Sequence, residues 1–303
     1  MEKSPRTPFG IVDGGIILGI VLLLGSLIST LLSGVTESIP DYKASVSYMI
    51  IPISIAIVVG AYLIVGNRKV DFLGDRQSIR PLSLALSPVV GVGLLAMLML
   101  FNYLAVYIAE AVGYEMSVTT PVLDTPWQWV LAIFAVCVLP AVAEEVLFRG
   151  ILLDSAKSFG TVIAIGYSAL SFALFHFNPA QFVYPLLYGA GLSIIAYRTG
   201  TIVYGMIMHF VNNLLTLILT RSGAIAFLDT FSWANIGILV AIALSGFGVF
   251  IVAFLQMDKS EKKPPFVRVK DAYCTSGEKV GMIITLIVLV VVWLAMIIVN
   301  MVI

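Results

Sequence analysis

Nine apolar segments follow one another along the chain, and short polar stretches separate them. They cover approximately residues 11–34, 45–66, 83–112, 127–153, 161–177, 181–197, 201–220, 235–256 and 280–302. A helix needs about 20 apolar residues to cross the hydrocarbon core of a bilayer, which is about 30 Å thick. The pattern therefore predicts an all-α, polytopic transmembrane helical bundle with about 8–9 membrane-spanning helices.

The composition supports a membrane protein and argues against other classes. Hydrophobic residues make up 60% of the 303 residues, charged residues only 11%, and the mean hydropathy is +1.06. A transmembrane β-barrel would instead show alternating polarity over segments of about ten residues. The net charge is zero, so no nucleic-acid partner is predicted. Cys137 lies in an apolar segment and Cys274 in a polar one, which argues against a disulfide and against a cysteine metal site.

The distribution of lysine and arginine predicts the orientation of the chain. With the N-terminus in the cytoplasm, most basic residues fall on the cytoplasmic side, as the positive-inside rule requires. These residues are Lys3, Arg6, Arg68, Lys69, Arg76, Arg80, Lys157, Arg198, Lys259, Lys262, Lys263, Arg268, Lys270 and Lys279. Only Lys43 and Arg221 fall on the other side, and Arg149 lies within an apolar segment. We therefore expect an integral protein of the plasma membrane, with its first segment retained as a span rather than cleaved as a signal peptide.

Ionisable residues inside the apolar segments are the first candidates for chemistry. Away from the loops and the segment ends, those that stand out are Glu144, Glu145, Arg149, His176 and His209, and the two histidines are the only ones in the chain. Each charge at mid-helix costs about 2.5–3.5 kcal/mol on insertion scales. Ionisable groups within a membrane therefore indicate a functional site by default.

The stretch AEEVLFRG contains two adjacent glutamates, and the sequence predicts an ion-pair partner for only one of them. Glu145 and Arg149 are four residues apart with the acid first, which is the favourable order for an ion pair on a helix. Glu144 points about 100° away from Glu145 and has no such partner. Pro140 cannot bond the carbonyl of Val136, so the helix should kink or open there. The alternative to a functional role is packing, through an ion pair at Glu145 and an interhelical hydrogen bond at Glu144.

The histidines lie on two further predicted helices. Glu144 and His176 lie roughly 21 and 27 Å from the turn that joins their segments, so an antiparallel pair brings them to similar depth. His209 and Asn213 are four residues apart and share a helix face, whereas Asn212 points elsewhere. Taken singly, His176 also fits a satisfied histidine at a helix end, and His209 with Asn213 fits an interhelical hydrogen-bonded pair.

The combination indicates hydrolysis more strongly than its parts do. A carboxylate, two imidazoles and a carboxamide on three helices supply a base, a neutral donor or acceptor, and amide donors. The sequence contains neither an HExxH nor a GxSxG motif, and no cysteine accompanies a histidine motif.

The motifs EExxxR (Glu144, Glu145, Arg149), FxxxH (Phe172, His176) and HxxxN (His209, Asn213) resemble those of a known family. This is the CAAX protease and bacteriocin-processing family of intramembrane glutamate endopeptidases, which is related to the Ras-converting CAAX prenyl endopeptidase. The resemblance covers about residues 127–220. It implies that Glu144 is the general base that activates water and that His176 assists it. It also implies that His209 and Asn213 stabilise the oxyanion, while Glu145 and Arg149 orient the site.

The resemblance divides the chain into three parts. Transmembrane helices at 1–125 precede a peptidase core at 126–222, and further transmembrane helices follow at 223–303. A polar linker at 257–279 precedes the last span. It is expected to be a solvated cytoplasmic loop, with binding to anionic lipid as the alternative.

Several functions stay open at this point. The first is an endopeptidase that cleaves a membrane-associated peptide or protein, and the second is a non-catalytic scaffold or bacteriocin-immunity factor with the same fold. A proton-coupled transporter would use Glu144 and the histidines as a relay, although the chain lacks repeat symmetry. No cofactor is predicted, but a zinc hydrolase that binds the metal through Glu144, His176 and His209 is a further alternative. The expected partners are the substrate and the lipid bilayer.

Overall fold

The computed structural model describes residues 9–65, 79–114, 120–260 and 274–302, and every regular element in these ranges is helical. The helices are α1 (Ile11–Ser38), α2 (Pro40–Ile64), α3 (Pro81–Ala111), α4 (Pro126–Ser155), α5 (Thr161–Leu174), α6 (Val183–Thr199), α7 (Val203–Arg221), α8 (Trp233–Ser260) and α9 (Ser276–Val302). Short 3₁₀ turns occur at Lys157–Phe159, Pro179–Gln181 and Ala226–Asp229. The predicted all-α bundle is therefore confirmed.

Eight of the described helices are long and apolar enough to cross a membrane, and the protein is an integral, multi-pass membrane protein. The exception is α5, which has 14 residues. At 1.5 Å per residue its length is about 21 Å, which is less than the hydrocarbon core. The predicted segment 161–177 was therefore too long, because the helix ends at Leu174 and the chain turns.

The last two helices are longer than their predicted segments. Helix α8 continues to Ser260 and α9 begins at Ser276, so the described ends of the predicted linker 257–279 are partly helical. The rest of the linker, residues 261–273, lies outside the described residues. Nine of the basic residues from which the orientation was predicted also lie outside the described residues. They are Lys3, Arg6, Arg68, Lys69, Arg76, Lys262, Lys263, Arg268 and Lys270.

The backbones of α3 and α8 lie in close contact. A Cβ atom added at Gly93 would lie 2.6 Å from the backbone nitrogen of Phe250, and one added at Gly246 would lie 2.6 Å from that of Met97. Helices in lipid associate through close packing and polar contacts, because lipid tails are as apolar as the side chains. The order of these contacts shows that α3 and α8 run antiparallel.

Helix α4 is irregular around the EExxxR motif. Its backbone forms π-helical turns at Ile133–Val138 and Glu145–Leu152. Pro140 has no N–H for the carbonyl of Val136 one turn earlier. That carbonyl accepts a hydrogen bond of 2.9 Å from Nδ2 of Asn213 on α7. The predicted irregularity is therefore present, and a side chain from another helix satisfies the carbonyl.

Further polar contacts join the helices around α4. The hydroxyl of Ser168 on α5 donates to the carbonyl of Phe148 at 2.8 Å, and the hydroxyl of Ser193 on α6 lies 3.1 Å from that of Ser168. Tyr188 on α6 donates to the carbonyl of Met208 on α7 at 2.9 Å. Unsatisfied backbone groups are costly where no water is available, so these bonds fix the relative positions of α4 to α7.

Two interhelical contacts define one end of the bundle. Arg198, near the end of α6, donates to Asp258 of α8 at 2.6 Å. The backbone N–H of Arg80, just before α3, donates to the hydroxyl of Tyr204 in the first turn of α7 at 2.7 Å. We call this the Arg198 end of the bundle.

Two further contacts define the opposite end. Arg221, the last residue of α7, pairs with Asp124, which precedes α4, at 2.9 Å. Tyr103, in the second half of α3, donates to the carbonyl of Thr230 in the α7–α8 connection at 3.1 Å. We call this the Arg221 end of the bundle.

Candidate active site

A buried ion pair lies at the centre of the EExxxR motif. Arg149 donates from Nη1 to Oε1 of Glu145 at 2.7 Å, and both side chains are 0% exposed. Its Nη2 donates to the carbonyl of Gly189 on α6 at 3.2 Å. The guanidinium carbon also lies 4.4 Å from the centroid of the Phe172 ring on α5, which is a cation–π distance. The predicted ion pair is therefore present, and it joins α4 to α5 and α6.

His209 on α7 lies between the two adjacent glutamates. Its Nδ1 is 3.1 Å from Oε1 of Glu145, and its Nε2 is 3.9 Å from Oε2 of Glu144. A carboxylate only accepts hydrogen bonds, so in the shorter contact Nδ1 carries the hydrogen. Nε2 is then the nitrogen that faces Glu144. Glu145 therefore contacts two basic side chains, of which the sequence predicted only Arg149.

Gly205 lets α7 approach Glu145 closely. A Cβ atom at this position would lie 2.8 Å from Oε2 of Glu145. Glycine leaves this space to the carboxylate. His209, one turn further along α7, consequently reaches the same carboxylate from the side.

His176 follows the end of α5 and is held by Phe172. Its Nδ1 is 2.8 Å from the carbonyl oxygen of Phe172, so Nδ1 donates a hydrogen bond to that oxygen. Nε2 is then the ring nitrogen that is left for another hydrogen bond. The Phe172 ring makes edge contacts with the rings of His176 and His209, at centroid distances of 4.8 and 5.9 Å. Phe177 has a φ of 49°, a left-handed conformation that costs roughly 1–2 kcal/mol outside glycine and turns the chain directly after His176.

Asn213 belongs to a chain of side-chain hydrogen bonds. Besides donating to the carbonyl of Val136, it accepts a hydrogen bond of 3.1 Å from Nδ2 of Asn212. Oδ1 of Asn212 in turn accepts from the hydroxyl of Tyr184 on α6. The prediction that Asn212 points elsewhere is wrong, because its carboxamide is long enough to reach its neighbour and faces the same cavity.

The side chains of His176, His209, Asn212 and Asn213 line one cavity of about 280 Å³. Glu144 is not one of the described residues that line it, although it lies beside His209 and its side chain is 15% exposed. The structure thus brings His176, His209 and Asn213 to a common space and places Glu144 at the side of His209.

Within the described part of the chain, no group of three or more His, Cys, Asp or Glu side chains is arranged to hold a metal ion. Cys137 is buried and Cys274 is half-buried, and both are free thiols.

Residues 126–215 match the family described as type II CAAX prenyl endopeptidase Rce1-like. Over these residues the chain is similar to the CAAX protease family. The match includes each residue of the EExxxR, FxxxH and HxxxN motifs. The predicted family is therefore confirmed for this segment, and it supports an intramembrane function of the CAAX protease type. No curated protein and no solved structure matches the chain.

The motifs of the CAAX protease segment do not include every polar residue at the site. Tyr184 and Tyr188 on α6 line the cavity and bond to α7, and neither was singled out from the sequence. The sequence could have indicated that these tyrosines form hydrogen bonds, since tyrosine hydroxyls in an apolar segment usually find a partner when they are buried. The partner itself depends on how α6 and α7 pack, which the sequence pattern does not give.

Proposed function

We propose that the protein is an intramembrane endopeptidase that hydrolyses a peptide bond in a membrane-associated protein or peptide. The observation that carries the proposal is the position of His209 in the cavity wall. Glu145 holds one ring nitrogen, and the other faces Glu144 at 3.9 Å. A water molecule at hydrogen-bond distance from both Glu144 and His209 fits this separation. The CAAX protease match supports the same class of reaction.

In the proposed reaction, Glu144 takes a proton from water as the oxygen attacks the scissile carbonyl carbon. The carbonyl oxygen becomes an oxyanion, and the C–N bond then breaks as the proton passes from Glu144 to the leaving amine. His176, which keeps Nε2 available at the cavity, assists in orienting the water.

The proposed oxyanion donors are His209 and Asn213. The carboxamide nitrogen of Asn213 has two hydrogens, and the bond to the carbonyl of Val136 uses one of them. His209 donates from Nε2 only if Nδ1 and Nε2 both carry hydrogens. Preorganised donors of this kind are the usual means of stabilising a tetrahedral intermediate.

The charges of the proposed active form balance. Glu144 and Glu145 contribute two negative charges, and Arg149 and a doubly protonated His209 contribute two positive ones. A neutral cluster is favourable because uncompensated charge within the bilayer is expensive. Glu145 and Arg149 thus serve in this proposal as the groups that orient His209.

One observation favours a non-catalytic scaffold as the second candidate. The bond from Asn213 to the carbonyl of Val136 is the interhelical packing contact that a scaffold also requires. A bacteriocin-immunity factor with this fold would keep the packing without turnover.

A substrate trap separates the two candidates. Glu144→Gln should bind its substrate without cleaving it, so an uncleaved protein or peptide should accumulate and co-purify with this variant but not with the parent. Glu110→Gln, at an exposed glutamate near the end of α3, is the matched control and should behave as the parent. Equal function of Glu144→Gln and parent in cells, with no accumulating species, would favour the scaffold.

We expect catalysis without a metal, because the proposed base and oxyanion donors are all protein groups. Purified enzyme should keep its rate of peptide cleavage after treatment with a chelator and dialysis. The measurement is the cleavage rate before and after treatment, and again after addition of Zn²⁺. A reversible loss that Zn²⁺ alone restores would assign the protein to the metallopeptidases instead.

A further inference from the structure

The cavity lies in the half of the bundle nearest the Arg221 end. Its α7 wall begins at His209 and continues to Leu219, and the α7–α8 connection adds Ile225 and Leu228. On α6 it is lined only by the first two turns, up to Tyr188. Its other described lining residues lie on α3 between Leu95 and Asn102, at Phe172 near the end of α5, and in the α5–α6 connection. The cavity therefore extends from the middle of the bundle to the Arg221 end.

The basic residues concentrate at the opposite end. Those that the structure describes near the Arg198 end are Arg80, Lys157, Arg198, Lys259 and Lys279, whereas Lys43 and Arg221 lie at the Arg221 end. In the sequence, all nine basic residues outside the described ranges lie before α1, between α2 and α3, or between α8 and α9. By the positive-inside rule, the Arg198 end is cytoplasmic and the Arg221 end faces away from the cytoplasm.

Among the residues that the structure describes, none that lines the cavity is acidic, lysine or arginine. Apart from the two histidines, its polar groups are neutral, and they include Asn102, Gln181 and Thr216. Neutral donors and acceptors suit the N–H and C=O groups of an extended polypeptide. The aliphatic residues Leu219, Ile225 and Leu228 surround the part nearest the Arg221 end and suit uncharged side chains.

We infer that the substrate is an uncharged, extended polypeptide segment that enters the cavity from the extracytoplasmic side of the membrane. This inference rests on the proposed endopeptidase function and adds the side and the chemistry of the substrate. A cytoplasmic tail has no access of this kind, because its backbone polar groups would have to cross the hydrocarbon core unsatisfied.

Cysteine labelling tests the orientation without any need for catalysis. With Cys137→Ala, the native Cys274 near the start of α9 reports the Arg198 end. With both native cysteines replaced, Ala224→Cys in the exposed α7–α8 connection reports the Arg221 end. A membrane-impermeant maleimide should label Ala224→Cys at least about fivefold more in right-side-out vesicles than in inverted ones, and Cys274 in the opposite ratio. The reverse pattern would overturn the inference.

Cleavage from each side tests access to the cavity. A membrane-impermeant peptide with the sequence of the trapped substrate, added outside, should be cleaved at least about tenfold faster by right-side-out than by inverted vesicles. Modifying Leu228→Cys with the maleimide should block this cleavage, while modifying Ala224→Cys should leave it unchanged. Faster cleavage in inverted vesicles, or no effect at Leu228→Cys, would overturn the inference. Absence of cleavage in detergent as well would overturn the proposed function, whatever the labelling shows.

Discussion

The Glu145→Gln variant is expected to lose about 3–5 kcal/mol of folding stability, the usual consequence of removing one partner from a buried ion pair. Both side chains of the pair are 0% exposed. The substitution leaves the guanidinium of Arg149 buried without its counter-charge, and it also removes the carboxylate that Nδ1 of His209 contacts. Peptide cleavage should therefore fall together with stability. The measurement is denaturant unfolding in mixed micelles, with the free energy of unfolding compared with that of the parent.

Asp154→Asn supplies the matched control for this prediction. Asp154 pairs with Lys157 at 2.6 Å near the end of the same helix, but both side chains are nearly half exposed. Exposed pairs contribute only about 0–1 kcal/mol, so this variant should remain close to the parent. Equal stability of Glu145→Gln and Asp154→Asn would contradict a structural role for the buried pair.

The Glu144→Gln variant is expected to fold normally and to lose at least about 100-fold in turnover, the scale of a general base. Glutamine preserves the size and hydrogen-bonding capacity of the side chain but cannot take a proton from water. Glu144 lies 3.9 Å from His209 rather than in a tight ion pair, so the change should cost little stability. The measurement is kcat for peptide cleavage, with the melting temperature determined on the same preparation.

The two glutamate variants are informative when they are compared directly. Loss of activity in a stable Glu144→Gln, with loss of stability in Glu145→Gln, supports the proposed roles. An active Glu144→Gln beside a folded but inactive Glu145→Gln would mean that the base is the other carboxylate. Glu110→Gln should change neither activity nor stability, since this glutamate is exposed at the end of α3.

Interactions within one helix were predictable from the sequence, and most interactions between helices were not. The spacing of Glu145 and Arg149 predicted their ion pair, which is present even though the local backbone is π-helical. The contact of Glu145 with His209 joins residues that are 64 positions apart. It depends on the rotation of α7 and on its close approach at Gly205, and neither follows from apolar periodicity.

The partner of Val136 shows the same division. Pro140 predicted that the carbonyl of Val136 would lack its partner on α4, because proline has no N–H. The identity of the new donor, Asn213, depends on the packing of α7 against α4. Similarly, the helix-wheel angle placed Asn212 away from Asn213, but the angle describes Cβ directions and not the reach of a carboxamide. Domain boundaries at 125 and 222 and the roles of individual site residues stay predictions.

The dependence of α4 on later helices has a consequence for biogenesis. The carbonyl of Val136 takes its donor from α7, the carbonyl of Phe148 takes its donor from α5, and the guanidinium of Arg149 reaches a carbonyl on α6. All three partners are synthesised after α4. Chains are made from the N-terminus and backbone groups in lipid need partners, so α4 cannot reach its final conformation when it first leaves the ribosome. The order of translation therefore makes the candidate active site the product of a late assembly step, which is completed only when α7 has been inserted.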